Sequence, residues 1–273
     1  MSGAASPTSE PDSDWTGGDA YEQYVGRWSR LVAREFVAWL EAPPGLRWLD
    51  VGCGTGELTR AIASAASPAS VIGVDQSEKY VAYARERTPA IDYRVGNATA
   101  LPVENASLNV AVSGLVLNFV AQPQLAVAEM ARATGPGGIA AAYVWDYADG
   151  TQFMRNFWDA AKELQPSAAL ADEGARFALC NEAGLREAFE STSLQKVQTR
   201  EIVVPTHFLD FNDYWNPFLG GQGPAGAFVL SLPPQKRDQL RAILHERIAP
   251  TGGSIELTAR AWAVKGAVPD RKA

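Results

Sequence analysis

Trp48 to Arg60 read "WLDVGCGTGELTR". An apolar run reaches one aspartate, Asp50. Gly52, Gly54 and Gly56 then alternate with single residues before a stretch of helix formers. An apolar run that ends in a glycine-rich turn and opens a helix is the start of a strand–turn–helix unit. Glycine supplies backbone angles that side chains resist, and it lets the main chain come close to a ligand. The stretch therefore predicts an α/β fold with a turn shaped around a bound molecule.

The same rhythm continues outward from this unit. "SVIGVD" reads as a second strand, and "SEKYVAYARERT" as a helix capped by Ser77. "IDYRVGN" and "LNVAVSGLVL" read as strands, "PQLAVAEMARAT" as a helix stopped by "GPGG", and "IAAAYVWDY" as a fifth strand. Near-continuous apolar strands between helices mean a parallel sheet covered on both faces. Upstream, apolar residues within "DAYEQYVGRWSRLVAREFVAWL" recur at three and four, the mark of one helical face, with Asp19 and Glu22 at capping-box spacing. Downstream, "FMRNFWDAAKEL", "EAGLREAFEST" and "QKRDQLRAILHERI" read as helices, and "VQTREIVVPTHF" and "SIELTARAWAVKG" as strands. The aromatic, glycine-rich "LDFNDYWNPFLGGQGPAGAFVLSLP" reads as a loop or lid. The expected organisation is a tail over 1–18, one domain over 19–266 with a substrate lid around 205–232, and a tail over 267–273.

Composition bounds the partners. The 273 residues are 47% hydrophobic, enough for a substantial core. A net charge of −7 argues against nucleic acid or anionic membrane as the main partner. Two cysteines, Cys53 and Cys180, are too few for a disulfide framework or a structural zinc site. No pair of residues has metal-ligand spacing, so no metal is expected. The N-terminus has no basic segment leading into an apolar core, and no long uncharged apolar run follows. A cytoplasmic protein is expected, and the sequence is silent on its oligomeric state.

Three strand ends identify the ligand. A dinucleotide turn needs its third glycine at position 57, where Glu57 stands, and a phosphate loop needs a Gly-Lys-Ser/Thr that is missing. A carboxylate beside a glycine turn instead suits the ammonium of an amino acid, whose own carboxylate the helix N-terminus favours. Asp75 ends the second strand, 19 residues after Gly56, where a carboxylate can accept both hydroxyls of a ribose. Asn97 and Ala98 follow the third strand, where an amide and a backbone N–H can read an adenine edge. Amino acid, ribose and adenine together describe S-adenosylmethionine.

The motifs "LDVGCGTGELT", "VIGVDQSEKYVAYAR", "VGNATALPVENASLNVAVSGLVLNFV" and "ATGPGGIAAAYVW" resemble the successive motifs of class I S-adenosylmethionine-dependent methyltransferases over residues 46–146. "YEQYVGRWSRLVAREFVAWL" is similar to the N-terminal helix of the small-molecule, quinone-methyltransferase-like branch. The resemblance implies a Rossmann-like three-layer sandwich with a seven-stranded, mostly parallel sheet whose last strand is antiparallel, completed here by an N-terminal helix and a lid insertion. It implies that Asp50, Gly52, Cys53, Gly54 and Gly56 line the methionine part, Asp75 the ribose, and Asn97 with Ala98 the adenine. Gln76, Ser113, Leu115, Tyr24 and Trp28 complete the expected cofactor set. Many relatives carry aspartate where Asn97 and Asn109 stand; an amide still bonds adenine, and the second change bears on packing.

Acceptor chemistry is less legible. Asp146 ends the fifth strand and His207 the late strand, so these two are the candidate bases. The plain alternative makes both polar strand ends. Tyr21, Tyr147, Tyr214 and Trp215 are the candidate substrate contacts, because flat apolar walls suit a small acceptor and exclude water. The plain alternative for the late aromatics is core packing. The expected function is methyl transfer from S-adenosylmethionine to a small molecule, leaving S-adenosylhomocysteine. The alternatives are a cofactor-retaining fold that catalyses a cyclisation and a regulatory binder of the cofactor.

Overall fold

The computed structural model of the protein describes residues 26–249 and 251–270. The expected tail over 1–18, the Asp19–Glu22 capping pair, Tyr21 and Tyr24 lie outside those residues. The described part of the first helix, α1 (Arg27–Leu40), buries Trp28, Val32, Phe36 and Leu40 along one stripe and stops at Glu41, whose left-handed backbone precedes Pro43 and Pro44.

The alternation legible in the sequence then follows: β1 (Arg47–Val51), α2 (Glu57–Ala65), β2 (Ser70–Asp75), α3 (Glu78–Arg87), β3 (Asp92–Val95), β4 (Leu108–Gly114), α4 (Pro123–Ala133) and β5 (Thr134–Trp145). Ser77 caps α3 by accepting from the Tyr80 N–H. β5 starts five residues before the expected "IAAAYVWDY", because "TGPGG" joins the sheet across an irregular register at Leu108/Val110 instead of ending a helix. The chain continues through α5 (Gln152–Leu164), α6 (Glu173–Arg176), α7 (Glu182–Glu190), β6 (Gln195–Phe208), α8 (Phe211–Trp215), α9 (Gly223–Ser231), α10 (Pro234–Ile248) and β7 (Ile255–Ala267).

Among the described residues these strands form one seven-stranded sheet, ordered β3-β2-β1-β4-β5-β7-β6. β1 to β5 pair in parallel, and β7 inserts antiparallel between β5 and β6. Both faces are covered. Trp48, Val110, Val112, Tyr143 and Trp145 face the layer that holds α1, α2, α5 and the 211–248 segment. Leu49, Ala111, Ala142 and Val144 face α4 and α7. This explains the unbroken apolar strands, which have no solvent side. The strand order reverses between β1 and β4, and a ligand crevice is expected outside the carboxyl ends at that point.

The segment read as an open lid is helical. Asp210 accepts from the Asp213 N–H at 2.8 Å and starts α8. A 3₁₀ turn follows over Asn216–Gly220, and Gly221 and Gly223, at φ 72° and 64°, separate it from α9. Phe211, Tyr214, Trp215 and Phe218 are buried in the core. The aromatics that suggested a loop are the inward face of short helices, and the glycines mark where those helices change direction.

Candidate cofactor site

β1 delivers the glycine turn to the switch point. The Gly52 N–H donates to the Val74 carbonyl at 2.7 Å with φ at 76°. A Cβ at Gly52 would lie 2.5 Å from the Val116 methyls, so only glycine fits between the ends of β1 and β4. Gly54, at φ 51°, has nothing within 4 Å of where its Cβ would stand, and its N–H donates to Asp75 Oδ2 at 2.9 Å. Gly56 precedes α2, which begins at Glu57 without a side-chain cap. Gly52 and Gly54, but not Gly56, line an open-mouthed cavity of about 850 Å³, counting the solvent in its mouth.

Asp75 stands in the cavity wall. Its two oxygens each take one backbone donor, Gly54 at 2.9 Å and Ser77 at 2.8 Å, which aims the carboxylate and leaves lone pairs for a diol. Burial raises its pKa against those two hydrogen bonds. Tyr80 shares the wall, and burial, then the Asp75 charge, push its phenol up to about 12. Burial also pushes the Cys53 thiol far up, so it stands in the turn as a protonated small residue and not as a nucleophile. Asp50 lies just behind the turn. It accepts from Thr59 Oγ1 at 2.6 Å, while its Oδ1 is buried without a partner, and burial pushes its carboxyl up to about 7. A buried carboxyl with an orphan oxygen beneath a roomy glycine turn, and a second carboxylate beside it, fit a ligand that carries a cationic amino acid end and a ribose diol.

The expected cofactor residues divide. Gly52, Cys53, Gly54, Asp75 and Leu115 line the cavity. Trp28 does not: it is buried edge-on against Phe208 at 5.4 Å, and the next residue along α1, Ser29, lines the cavity instead. Gln76 is exposed and outside the wall. Asn97 is exposed, and its Oδ1 accepts from the Thr99 N–H and hydroxyl, both at 2.9 Å, closing a local turn. Ala98 packs on the α4 side of the core. Ser113 is a strand tie: its hydroxyl donates to the Val51 carbonyl at 2.8 Å. Asn109 ties β4 to β1 by accepting from the Arg47 N–H at 2.9 Å, which is a packing role.

Both candidate bases receive other work. Burial raises the Asp146 pKa, but hydrogen bonds from Asp149, Arg260 and Gly150 outweigh it and hold the carboxyl below its ordinary value. Its Oδ2 accepts from Arg260 Nε at 2.8 Å and from Trp262 Nε1 at 3.1 Å, so Asp146 is a brace between β5 and β7 and not a base. His207 is exposed at the end of β6, pairs with Glu256 on β7 and takes no part in the cavity wall. Tyr147 lines the cavity. Tyr214 and Trp215 are buried at 1% and 3% exposure, away from the wall, and the Tyr214 hydroxyl donates to the Phe153 carbonyl at 2.7 Å. The reading of these two as substrate contacts is corrected to core packing.

Sequence reasoning missed part of the cavity lining. Val116, Phe119, Tyr143 and Trp145 add an apolar lining to the same cavity, Val116 directly against Gly52. "LNVAVSGLVL" reads as one strand, yet β4 ends at Gly114 and Leu115 turns through φ 62°. Gly114 is the signal that could have ended the strand early and brought Phe119 to the rim.

Residues 49–142 match a family model described as a methyltransferase domain. The chain is 39% identical over 112 residues to a demethylmenaquinone methyltransferase of Renibacterium salmoninarum, covering 41% of this chain and 45% of that protein. It is 30% identical over 186 residues to the 2-methyl-6-phytyl-1,4-hydroquinone methyltransferase of Synechocystis, covering 66% of this chain and 57% of that protein. The matched segments span about half the length of these curated relatives. Among solved structures, phosphoethanolamine N-methyltransferase 2 of Haemonchus contortus in complex with S-adenosyl-L-methionine superposes with a TM-score of 0.58 at 18% identity, over 92% of this chain and 56% of that one, which is a likeness of fold. Sheet order, glycine turn and the match over residues 49–142 together support a class I S-adenosylmethionine-dependent methyltransferase domain in this chain.

Proposed function

We propose that the protein transfers a methyl group from S-adenosylmethionine to a small-molecule acceptor. The observation that carries this reading is the cavity at the switch point, lined by the glycine turn and Asp75 together with apolar and aromatic side chains. Gly52, Cys53 and Gly54 are assigned to the methionine end and Asp75 to the ribose hydroxyls. Asn97 and Ala98, at the neighbouring strand end, are assigned to the adenine edge, with Asn97 offering its amide nitrogen because its oxygen is engaged by Thr99. When bound, the cofactor supplies a methyl already activated on a sulfonium. What remains for the chain is to hold two ligands in line and keep water out, and proximity of that kind is worth several kcal/mol of barrier. Tyr143 and Trp145 do this as buried walls.

No histidine lines the cavity among the described residues, the Cys53 thiol stays protonated and Glu57 is paired with Arg60. With Asp75 assigned to the ribose, the role read for the wall is to align the two ligands. Two of the relatives are named for a menaquinone precursor and a hydroquinone, which favours a ring-shaped acceptor here and favours transfer over the cyclising and regulatory alternatives.

Calorimetry with S-adenosylhomocysteine, followed by a panel of acceptors with product detected by mass spectrometry, tests the reading. Asp75→Asn should weaken cofactor binding by at least about tenfold, the size of one charge-assisted hydrogen bond. Normal affinity in that variant would remove Asp75 from the ribose.

A further inference from the structure

α6 is a single helical turn, capped by Asp172, whose Oδ1 accepts from the Gly174 N–H at 2.9 Å. The turn lies directly on the backbone that follows β5. A Cβ at Gly174 would stand 2.9 Å from both the Tyr147 carbonyl oxygen and the Ala148 Cα, so only glycine lets the turn seat so closely. The Phe177 ring just beyond α6 meets Tyr147 at 5.7 Å. Tyr147 lines the cavity, so α6 backs part of the cavity wall.

Two neighbouring carboxyls, Asp172 and Glu173, are buried at this turn, each 3% exposed. The cations of α5 are divided unequally between them. Arg155 pairs with Asp172, and Lys162 reaches Asp172 Oδ2 at 3.4 Å and Asp159 at 3.0 Å. Glu173 receives the neutral indole N–H of the fully buried Trp158. Cys180 also acts on it, as a thiol that burial holds protonated, and Arg176 on the same turn is exposed. A buried carboxylate with no cation of its own, beside a second carboxylate, disfavours ionisation. Burial accordingly pushes the Glu173 carboxyl up from the ordinary 4.5 to about 7; hydrogen bonds and Arg155 oppose the rise and the Asp172 charge adds to it. An ionised Glu173 is better solvated by water than by this site, and it reaches water when the turn that carries it leaves its seat.

We propose that α6 is a proton-linked latch on the cavity wall: with Glu173 protonated the turn sits on Tyr147 and Ala148, and loss of that proton releases it. The seated turn holds the proton up to about pH 7 and the released turn only up to about pH 4.5, so release becomes easier as pH rises through that window and levels off above it. The latch is independent of which ligand the cavity holds.

Hydrogen exchange of the full chain at about pH 5 and about pH 7 tests this, read as protection factors so that the intrinsic effect of pH is removed. In the wild type the amides of Ala175, Arg176 and Phe177 bond back to Asp172 and Glu173, and they should lose at least about tenfold in protection at the higher pH. The amides of Gly150 and Thr151, which bond back to Asp146 in the turn around Tyr147, should loosen with them. Glu173→Gln keeps an acceptor for the Trp158 indole and cannot ionise, so it should hold its protection at both pH values. Gly174→Ala cannot seat and should be poorly protected at both. Asp50→Asn removes another buried carboxyl that titrates in the same window, and it should leave the α6 response unchanged. Equal wild-type protection at the two pH values, a loss that persists in Glu173→Gln, one abolished by Asp50→Asn, or one spread evenly over the chain would each overturn the latch. α6 amides that loosen while Gly150 and Thr151 do not would overturn its hold on the cavity wall.

Discussion

Gly52 and Gly54 sit two residues apart, both at positive φ, and their surroundings separate them. At Gly52 an added methyl strikes Val116 at 2.5 Å; at Gly54 it enters open cavity. Gly52→Ala should therefore cost stability, lowering the melting temperature, because β1 and β4 must part to admit it. Gly54→Ala carries only the left-handed penalty of about 1–2 kcal/mol. It should melt only a few degrees below the wild type and lose affinity for S-adenosylhomocysteine. Calorimetry beside thermal melts checks the pair, and a Gly54→Ala variant with full affinity would make that turn purely structural. Asp50 makes a different residue-scale statement. Its folded pKa of about 7 lies above the ordinary 3.8 because burial disfavours the anion. The folded state then binds more proton than the unfolded chain between about pH 4 and pH 7, so this group's contribution to stability falls as pH rises through that window and levels off above it. Asp50→Asn cannot ionise. Its stability relative to wild type should grow with pH through the same window, with a slope approaching ~1.4 kcal/mol per pH unit. Urea melts at several pH values measure it, and a flat difference would mean that Asp50 is ionised throughout.

Between elements, the firmest polar tie near the cavity joins α1 to α8. Arg27 Nη1 reaches Asp213 Oδ1 at 2.9 Å, Nη2 reaches the Asp213 carbonyl at 3.2 Å, and the Leu209 N–H donates to Asp213 Oδ2 at 3.0 Å. The guanidinium also lies 4.6 Å from the Trp28 ring centre and 4.7 Å from that of Phe208. This holds in place the helix whose Ser29 lines the cavity. Its side chains are about three-quarters buried, so solvent screens the pair only partly. Asp213→Ala should cost about 1–3 kcal/mol, since it strips a charged partner and leaves donors unsatisfied. In a double-mutant cycle with Arg27→Ala, urea melts should show a coupling above about 0.5 kcal/mol. Additive losses would mean that the two residues act separately.

Across the whole molecule, α8, α9 and α10 close one layer of the sandwich. Phe157 and Phe218 stack at 4.5 Å, Phe208 and Tyr214 meet at 5.2 Å, and Trp215 is 3% exposed within the same cluster. A movable acceptor lid would place these rings against solvent or ligand, and here they face the core. Trp215→Ala should then cost about 3–5 kcal/mol as a cavity-forming change. Tyr214→Phe should cost about 1 kcal/mol for the lost bond to Phe153. Both losses belong in the melting temperature. The affinity of the folded fraction for S-adenosylhomocysteine should stay within about a factor of two, because distant sites change nearly independently. A Trp215→Ala protein as stable as wild type, with a selectively raised acceptor KM, would restore the lid.

What the sequence by itself determined is local and repetitive. Strand-and-helix alternation, the glycine turn after β1 and the aspartate ending β2 are written in contiguous residues, since backbone freedom and apolar periodicity act over a few positions. From them the parallel sheet and the cofactor end of the cavity were legible. What only the tertiary structure decided is where side chains from distant elements meet. Asp146 reads as a strand-end carboxylate until Arg260 and Trp262, more than 100 residues away, arrive on β7 and occupy it. Tyr214 and Trp215 read as loop aromatics until α5 and β6 surround them. Phe119 and Tyr147, 28 positions apart, line one opening because β4 and β5 end side by side. Such pairings depend on sheet order and helix placement, which are settled by burial summed over the whole chain and leave no mark in any single stretch of it.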